Sequence, residues 1–404
     1  MVRTACAIVL LLAVVKAGPV HAAALSVEDF TFEGPLGSQG TTIEQVGDNH
    51  FKVSLGAAPG HPDWNNRPQF TILRNAKGNS LHLDVQFEHG TAYSFNEYFF
   101  SYSYDGENWH PVHWEKGYKV DKQHDTLFFP EFEEDVVFVG HQVPMSYEKL
   151  QELVSEWKKS PFVQVRVLGK SLEGRDLYRL EVTDPGSDVP RTKRWVHFFA
   201  NQHPGEHNSQ WRMAGMIDWM LSDEAADFRR RSICYFVPMM SPDAPSKGWY
   251  RVNKEGYDMN RTYLVGGADK DNQAHEAYIV QKDLEALMAS DTPPVTAWSI
   301  HTWSGKTDPR IIAGPEMTEH GLGPWTKFRD LMEKHDVNDV VRTMEEWPLR
   351  EDHGNQWTEG THMQFGITSI LCEGGAALYT KEENVESGEV IIKAIADYYS
   401  GTRK

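Results

Sequence analysis

The stretch Trp195-Val196-His197-Phe198-Phe199-Ala200-Asn201-Gln202-His203-Pro204-Gly205-Glu206 decides how the chain is read. Its first half is apolar and aromatic with no polar alternation, the habit of a strand buried on both faces of a helix-covered, mostly parallel sheet. Its second half is loop, with Pro204-Gly205 set between a histidine and a glutamate. Open α/β sheets gather reactive groups at the carboxyl ends of their strands. A tight loop there turns both side chains toward one point, as a single metal ion requires. The simpler reading is a loop histidine and a carboxylate favoured by the dipole at a helix start.

Downstream, the alternation continues. Strands are expected at 233–239, 295–300 and 366–373, with helices from about Asn208, around 274–288, around 324–333 and over the closing segment that carries Val390, Ile391, Ile395 and Tyr398. Upstream, Ser146 is a plausible N-cap for a helix bearing Tyr147, Leu150, Val154 and Trp157, and 163–168 with 177–183 reads as a hairpin. Residues 141–404 are thus expected to form an α/β domain with a mixed, largely parallel sheet flanked by helices. Before it, short alternating or aromatic runs at 50–55, 69–73, 81–87, 97–104, 126–129 and 135–139, with a hairpin signal at Asp105-Gly106, predict an antiparallel β-sandwich over 25–140.

Two further strands end in ligand-type residues, the one at 295–300 in His301 and the one from Ile367 in Glu373. A lone histidine at a strand end is ordinarily a satisfied structural residue. Two nitrogens and one carboxylate with one open position, however, are the ligand set of a catalytic zinc site. Such a site needs another carboxylate to take a proton and return it, a role open to Glu373. A fourth piece is Ser241-Pro242-Asp243 followed by Tyr250-Arg251 and Asp258-Met259-Asn260-Arg261. Arginine pairs bidentately with carboxylates, so this stretch suggests capture of a terminal carboxylate, with a second arginine polarising the carbonyl under attack.

In this order, His203-x-x-Glu206, Pro242-Asp243, Arg251, Asn260-Arg261, His301 and Glu373 resemble the M14 zinc carboxypeptidases, and Gly169-Lys170-Ser171-Leu172-Glu173-Gly174-Arg175 resembles that family's first hairpin. The leading sandwich resembles the arrangement of the cytosolic-type subfamily. The resemblance implies one Zn²⁺ held by His203, Glu206 and His301, Glu373 as general base and acid, Arg251 at the oxyanion, and Asn260 with Arg261 on the C-terminal carboxylate of a peptide or protein. Asp258 reads as a loop-stabilising carboxylate. The family's mobile capping tyrosine has no counterpart, since no tyrosine occurs between Tyr278 and Tyr379; Trp347, His353, Trp357 and His362 are the candidate covers. Arg310 and Arg350 are candidates for selecting an acidic terminal residue, with surface arginines as the plainer reading, and Trp303 in His301-Thr302-Trp303-Ser304-Gly305 is a candidate wall of the pocket.

Composition bounds the function. The 404 residues carry a net charge of −18, which argues against broad binding of nucleic acid or anionic lipid. A charged start, the apolar run from Ala5 to Val15 and Val20-His21-Ala22 read as a secretory signal over 1–22, too short to span a bilayer. Its removal takes Arg3 and Lys16 and predicts a secreted or periplasmic protein with no stable membrane insertion. Cys234 and Cys372 lie in apolar runs and read as buried thiols. The basic runs Lys158-Lys159 and Arg229-Arg230-Arg231 read as solvated ends. The leading expectation is a zinc metallocarboxypeptidase. Its alternatives are a zinc amidase or deacylase acting on acyl-amino acids or peptidoglycan stem peptides, and a catalytically silent glycan- or protein-binding protein using Trp64, Tyr98, Trp109 and Trp114.

Overall fold

The computed structural model describes residues 23–87, 99–112, 124–302, 311–312, 325–341, 344–345, 350–374 and 378–403. The expected signal segment, Tyr98, Trp114, Trp303, Arg310 and Trp347 lie outside the described residues. No helix among the described residues is long and apolar enough to cross a membrane.

The first half is a two-sheet sandwich. A five-stranded sheet, ordered Phe30–Thr31, Phe70–Ile72, Val137–His141, Phe100–Ser103 and His110–Val112, shares one apolar core with a four-stranded sheet ordered His124–Phe129, Leu81–Gln86, His50–Ser54 and Thr42–Gly47. Period-two patterning explains the inward set: Phe51, Val53, Leu81, Leu83 and Val85 are buried, while His50, Lys52, His82 and Asp84 point outward. Among the described strands of these two sheets, pairing is antiparallel except for the parallel pair His50–Ser54 with Leu81–Gln86. The strand Thr42–Gly47 was not expected, because its exposed, polar TIEQVG sequence carries no apolar alternation. Asp105 shapes its turn by accepting from the Glu107 and Asn108 amides.

The second half is an eight-stranded mixed sheet with Ser232–Val237, Trp195–Ala200, Thr296–Ile300 and Thr368–Cys372 adjacent and parallel at its centre. The antiparallel hairpin Val163–Lys170 with Asp176–Val182 extends one side, and Ile311–Ile312 with Met344–Glu345 the other. Helices cover both faces. Val196, Phe198 and Ala200 pack with His275–Met288 on one face, while Phe199 packs with Tyr147–Trp157, His207–Leu221 and Lys381–Tyr398 on the other. Every residue of three of the central strands is buried, each large apolar side chain contributing about 1.5–3 kcal/mol. Ser146 caps the first helix by accepting from the Lys149 amide, as expected. The helix Trp357–Phe365 was not foreseen; its buried run, Trp357 to His362, includes Thr358, Glu359, Thr361 and His362, so the sequence shows no apolar stripe. Helices His207–Leu221 and Lys381–Tyr398 meet where a Cβ on Gly388 would lie 1.8 Å from the Arg212 carbonyl oxygen, so only glycine permits the approach.

Cys234 and Cys372 are buried free thiols. The basic run at 229–231 departs from expectation. Arg229 and Arg231 are buried, donating to the carbonyls of Met220 and Ala396, and only Arg230 is solvated. Trp64 stacks on His61 and packs against Trp249 and Val252, and Trp109 packs on the second domain's core, so neither is a free glycan-binding surface.

The sandwich grips the loop that carries Arg251. Backbone bonds run from Gly37 to Pro245 (3.1 Å), Gln39 to Lys247 (2.9 Å) and Arg67 to Gly248 (2.7 Å), and His61 Nε2 lies 2.7 Å from the Gly256 carbonyl. The Arg67 guanidinium lies 3.5 Å from the centre of the Tyr250 ring.

Candidate metal centre and active site

Strand register brings the expected residues together. Ala200 pairs with Ser299, and Ile300 with Cys372, so the residues that follow these strands emerge side by side at one edge of the sheet. The His301 amide donates to the Cys372 carbonyl at 2.7 Å, fixing His301 beside Glu373. The 201–206 loop then places Glu206 between two imidazoles: His203 Nδ1 is 2.8 Å from Oε1 and His301 Nδ1 is 2.9 Å from Oε2. All three side chains are buried. The Thr302 amide donates to Glu206 Oε2 at 3.0 Å.

The far side of each ring is also engaged. His203 Nε2 lies 3.0 Å from Asp258 Oδ1; His301 Nε2 lies 2.9 Å from Ser299 Oγ, which is 2.7 Å from Gln202 Oε1. A neutral imidazole carries one N–H. If His203 donates from Nε2 to Asp258, its Nδ1 lone pair faces a carboxylate oxygen at hydrogen-bond distance, an arrangement that a shared cation between them satisfies. The same holds for His301 and Ser299. This donor set fits zinc: two imidazole nitrogens and a carboxylate, each ring oriented by an outer partner.

Charge is arranged to match. Burial alone opposes ionisation of Glu206, but the two imidazoles outweigh it and hold the carboxyl well below the usual range. Burial pushes Glu373 up to about 7; Glu206 adds to the rise, and His301, Arg251 and Arg212 oppose it. Asp258 is held well below its ordinary value by Arg251 and His203 against the effect of burial. Arg251 donates from Nε to Asp258 Oδ2 at 2.9 Å, with a terminal nitrogen 3.8 Å from Glu206 Oε1.

The remaining expected residues have partners of their own. Asn260 is buried, its Oδ1 accepting from the Trp357 amide and its Nδ2 3.3 Å from His301 Nε2; Arg261 is exposed and bonds the Asn260 carbonyl at 2.8 Å. Asp243 serves the hairpin, accepting from Ser171, the Glu173 amide and Arg175. Of the candidate covers, Trp357 is buried and donates to the Met259 carbonyl, and His362 lies 2.9 Å from the Ile367 carbonyl, so both are fixed within the fold. Arg350 is not a bare surface arginine, since it pairs with buried Glu359 at 3.3 Å.

Asp258, read as loop-stabilising, does accept from the Asn260 amide, but it also links His203 to Arg251, which was not foreseen; Arg212 was missed. Arg212 reaches the carbonyls of His301 and Glu373 at 3.2 Å each and Ser387 Oγ at 3.1 Å, tying the two strand ends to the closing helix. A fully buried arginine in the otherwise apolar Trp211–Met213 run was its trace.

Residues 147–301 match the family model described as zinc carboxypeptidase. Cytosolic carboxypeptidase 2 of Danio rerio is 37% identical over 146 residues, 34% of this chain and 20% of the relative; cytosolic carboxypeptidase 3 of Mus musculus is 35% identical over 144 residues, 34% of this chain and 14% of the relative. The chain thus spans about a fifth or less of these relatives' length. A metallo-carboxypeptidase structure from Burkholderia cenocepacia superposes with a TM-score of 0.74 at 20% identity, covering 89% of this chain and 98% of that one. Residues 147–301 thus resemble the zinc carboxypeptidase family, the chain has the carboxypeptidase fold across most of its length, and His203, Glu206 and His301 form a candidate metal site.

Proposed function

We propose that the protein is a zinc metallocarboxypeptidase that removes the last residue of a peptide or protein. The observation that carries this reading is the convergence of both imidazole Nδ1 atoms on Glu206, with Glu373 and Arg251 in the same electrostatic neighbourhood. His203, Glu206 and His301 would hold zinc, which when bound supplies Lewis-acid activation of water. Glu373, its carboxyl raised toward neutrality by burial, takes a proton from water and passes it to the departing amine. Arg251, fixed through Nε by Asp258, places its guanidinium charge where the carbonyl oxygen becomes anionic. Exposed Arg261 receives the substrate's terminal carboxylate. Asn260 supports that clamp, and contributes its own amide only by turning away from His301.

The test is mass-spectrometric profiling of a peptide library with zinc-loaded protein. Release of single C-terminal residues is expected, lost when the terminus is amidated and lost in Glu373→Gln. No release from any peptide, with the variant behaving as wild type, would sink the reading.

We also read 1–22 as an export signal, on its charged start, apolar run and small residues near Ala22. The name cytosolic belongs to relatives aligned over about a third of this chain. Sequencing the N-terminus of the protein made in its own host is expected to begin after Ala22, and an intact Met1 would overturn it.

A further inference from the structure

A second group of metal-ligand residues lies on the outer face of the sandwich, away from the strand-end site. It arises from the parallel pairing of His50–Ser54 with Leu81–Gln86. His50 and His82 are opposite one another on adjacent parallel strands, and Asp84 follows His82 by two residues, so period-two geometry puts all three on the same face. Such a juxtaposition cannot be read along the sequence, because His50 and His82 belong to strands that are not consecutive.

The side chains supply a donor set. The imidazoles stack with centroids 3.6 Å apart and planes 8° apart, which directs their lone pairs along parallel lines, so one ring turns about its Cβ–Cγ bond to bring both Nε2 atoms to one ion. Both Nε2 atoms face the Asp84 carboxylate, His50 at 2.7 Å from Oδ2 and His82 at 3.5 Å from Oδ1. Ligands at zinc distances in tetrahedral array stand roughly 3.3 Å apart, a value these two separations bracket. The ligand atoms all lie within 4.8 Å of one another.

The neighbours favour a lone-pair donor over an ion pair. Phe128, across the antiparallel pairing from His82, stacks on that ring at 4.3 Å and walls its other side. His82 Nε2 is buried, with Asp84 Oδ1 at 3.5 Å as its polar neighbour. Thr126 donates to Asp84 Oδ1 at 3.0 Å, orienting the carboxylate. Lys52 lies opposite Asp84 in register but forms no ion pair with it among the described residues. The set remains open to solvent: the side chains of both histidines are 30% exposed and that of Asp84 44%.

We propose that His50, His82 and Asp84 form a second divalent-metal site, taking a first-row transition ion such as Zn²⁺ or Cu²⁺ through the Nε2 atoms of both imidazoles and one carboxylate oxygen. Two borderline nitrogens with one oxygen select these ions over Mg²⁺ or Ca²⁺, which demand oxygen-rich shells. The site is independent of the proposed peptidase chemistry, since none of its residues touches the strand-end cluster.

The experiment uses the full chain, purified without an affinity tag and loaded with one equivalent of zinc. Calorimetric titration with further Zn²⁺ is expected to show one additional ion bound per chain. The double variant His50→Gln/His82→Gln is expected to lose that event, and Asp84→Asn to weaken it at least tenfold, with metal retention at the strand-end site and peptide hydrolysis unchanged. A second readout needs no variant: Cu²⁺ added to the zinc-loaded wild type is expected to give an electron paramagnetic resonance spectrum with coupling to two imidazole nitrogens. Saturation at one zinc per chain, equal second binding in the double variant, or a solvent-like Cu²⁺ spectrum would each overturn the proposal.

Discussion

The molecule presents the same ligand chemistry twice, two histidines and one carboxylate, in two settings. At His203, Glu206 and His301 the side chains come from the ends of parallel strands and are buried; at His50, His82 and Asp84 they stand on a solvent-facing sheet surface. The strand-end rings are each braced from behind, by Asp258 and Ser299, whereas the face rings brace one another by stacking. Strand ends also converge with loops from other elements, which lets Glu373 and Arg251 join the group. A flat sheet face admits no such convergence. Location therefore separates the centre proposed to transfer protons and stabilise charge from one proposed only to bind.

The sharpest way to break this contrast is Glu373→Gln. Peptide hydrolysis is expected to fall by about 10²–10⁴-fold while zinc content, measured on the same preparation, stays at the wild-type level; an active variant would remove the chemical distinction between the two groups.

Next in size is the response to acid. His141, His197 and His207 are buried, and burial lowers their proton affinity, to about 3 for His197 and about 4 for His207. The unfolded chain protonates these residues below about 6.5 while the folded one does not, so stability is full above that pH and declines as pH falls. Each contributes a slope of about 1.4 kcal/mol per pH unit, continuing down to its folded value. Denaturant unfolding at several pH values is expected to show this, with one proton less in His197→Gln.

A smaller effect is expected from Asp258→Asn. Zinc affinity at the strand ends should fall by about 10–100-fold in competition with a chelator, since the His203 ring loses its charged brace. His50→Gln, lacking any link to that ring, is expected to leave the same affinity unaltered. Smallest of all, His82→Gln in the metal-free protein is expected to shift unfolding stability by no more than about 0.5 kcal/mol, as befits a partly exposed residue whose Nε2 has only a long 3.5 Å contact to Asp84.

The contrast also explains what sequence made legible. The run Trp195–Ala200 announces a doubly buried strand, and ligand-type residues directly after it and after Ile300 and Cys372 need only the rule that such sheets react at their carboxyl ends. Sandwich strands with alternating burial, such as Leu81–Gln86, were equally readable. Thr42–Gly47 was not, because nearly every residue faces solvent, and Trp357–Phe365 was not, because its leading residues are buried on all sides. Asp258 and Arg212 act across 55 and 161 residues of chain, on His203 and Glu373 respectively, and no local pattern encodes such pairings. The two arginines at 229 and 231 misled for the same reason, their acceptors lying in turns and helix ends that only the fold supplies.

The grip of the sandwich on the arginine-bearing loop has a consequence for biosynthesis. At Gly256 a side chain would meet the Pro59 carbonyl at 2.4 Å, and at Gly248 the carbonyls of Gly37 and Arg67 at 2.8 Å, so this loop is moulded against segments made some two hundred residues earlier. Domains generally fold as they leave the ribosome, N-terminal first. The sandwich thus stands ready as a template before the loop is translated, and a nascent chain whose first domain has failed cannot seat Arg251. The seating of Arg251, and with it the proposed chemistry, thus depends on contacts that the first domain supplies.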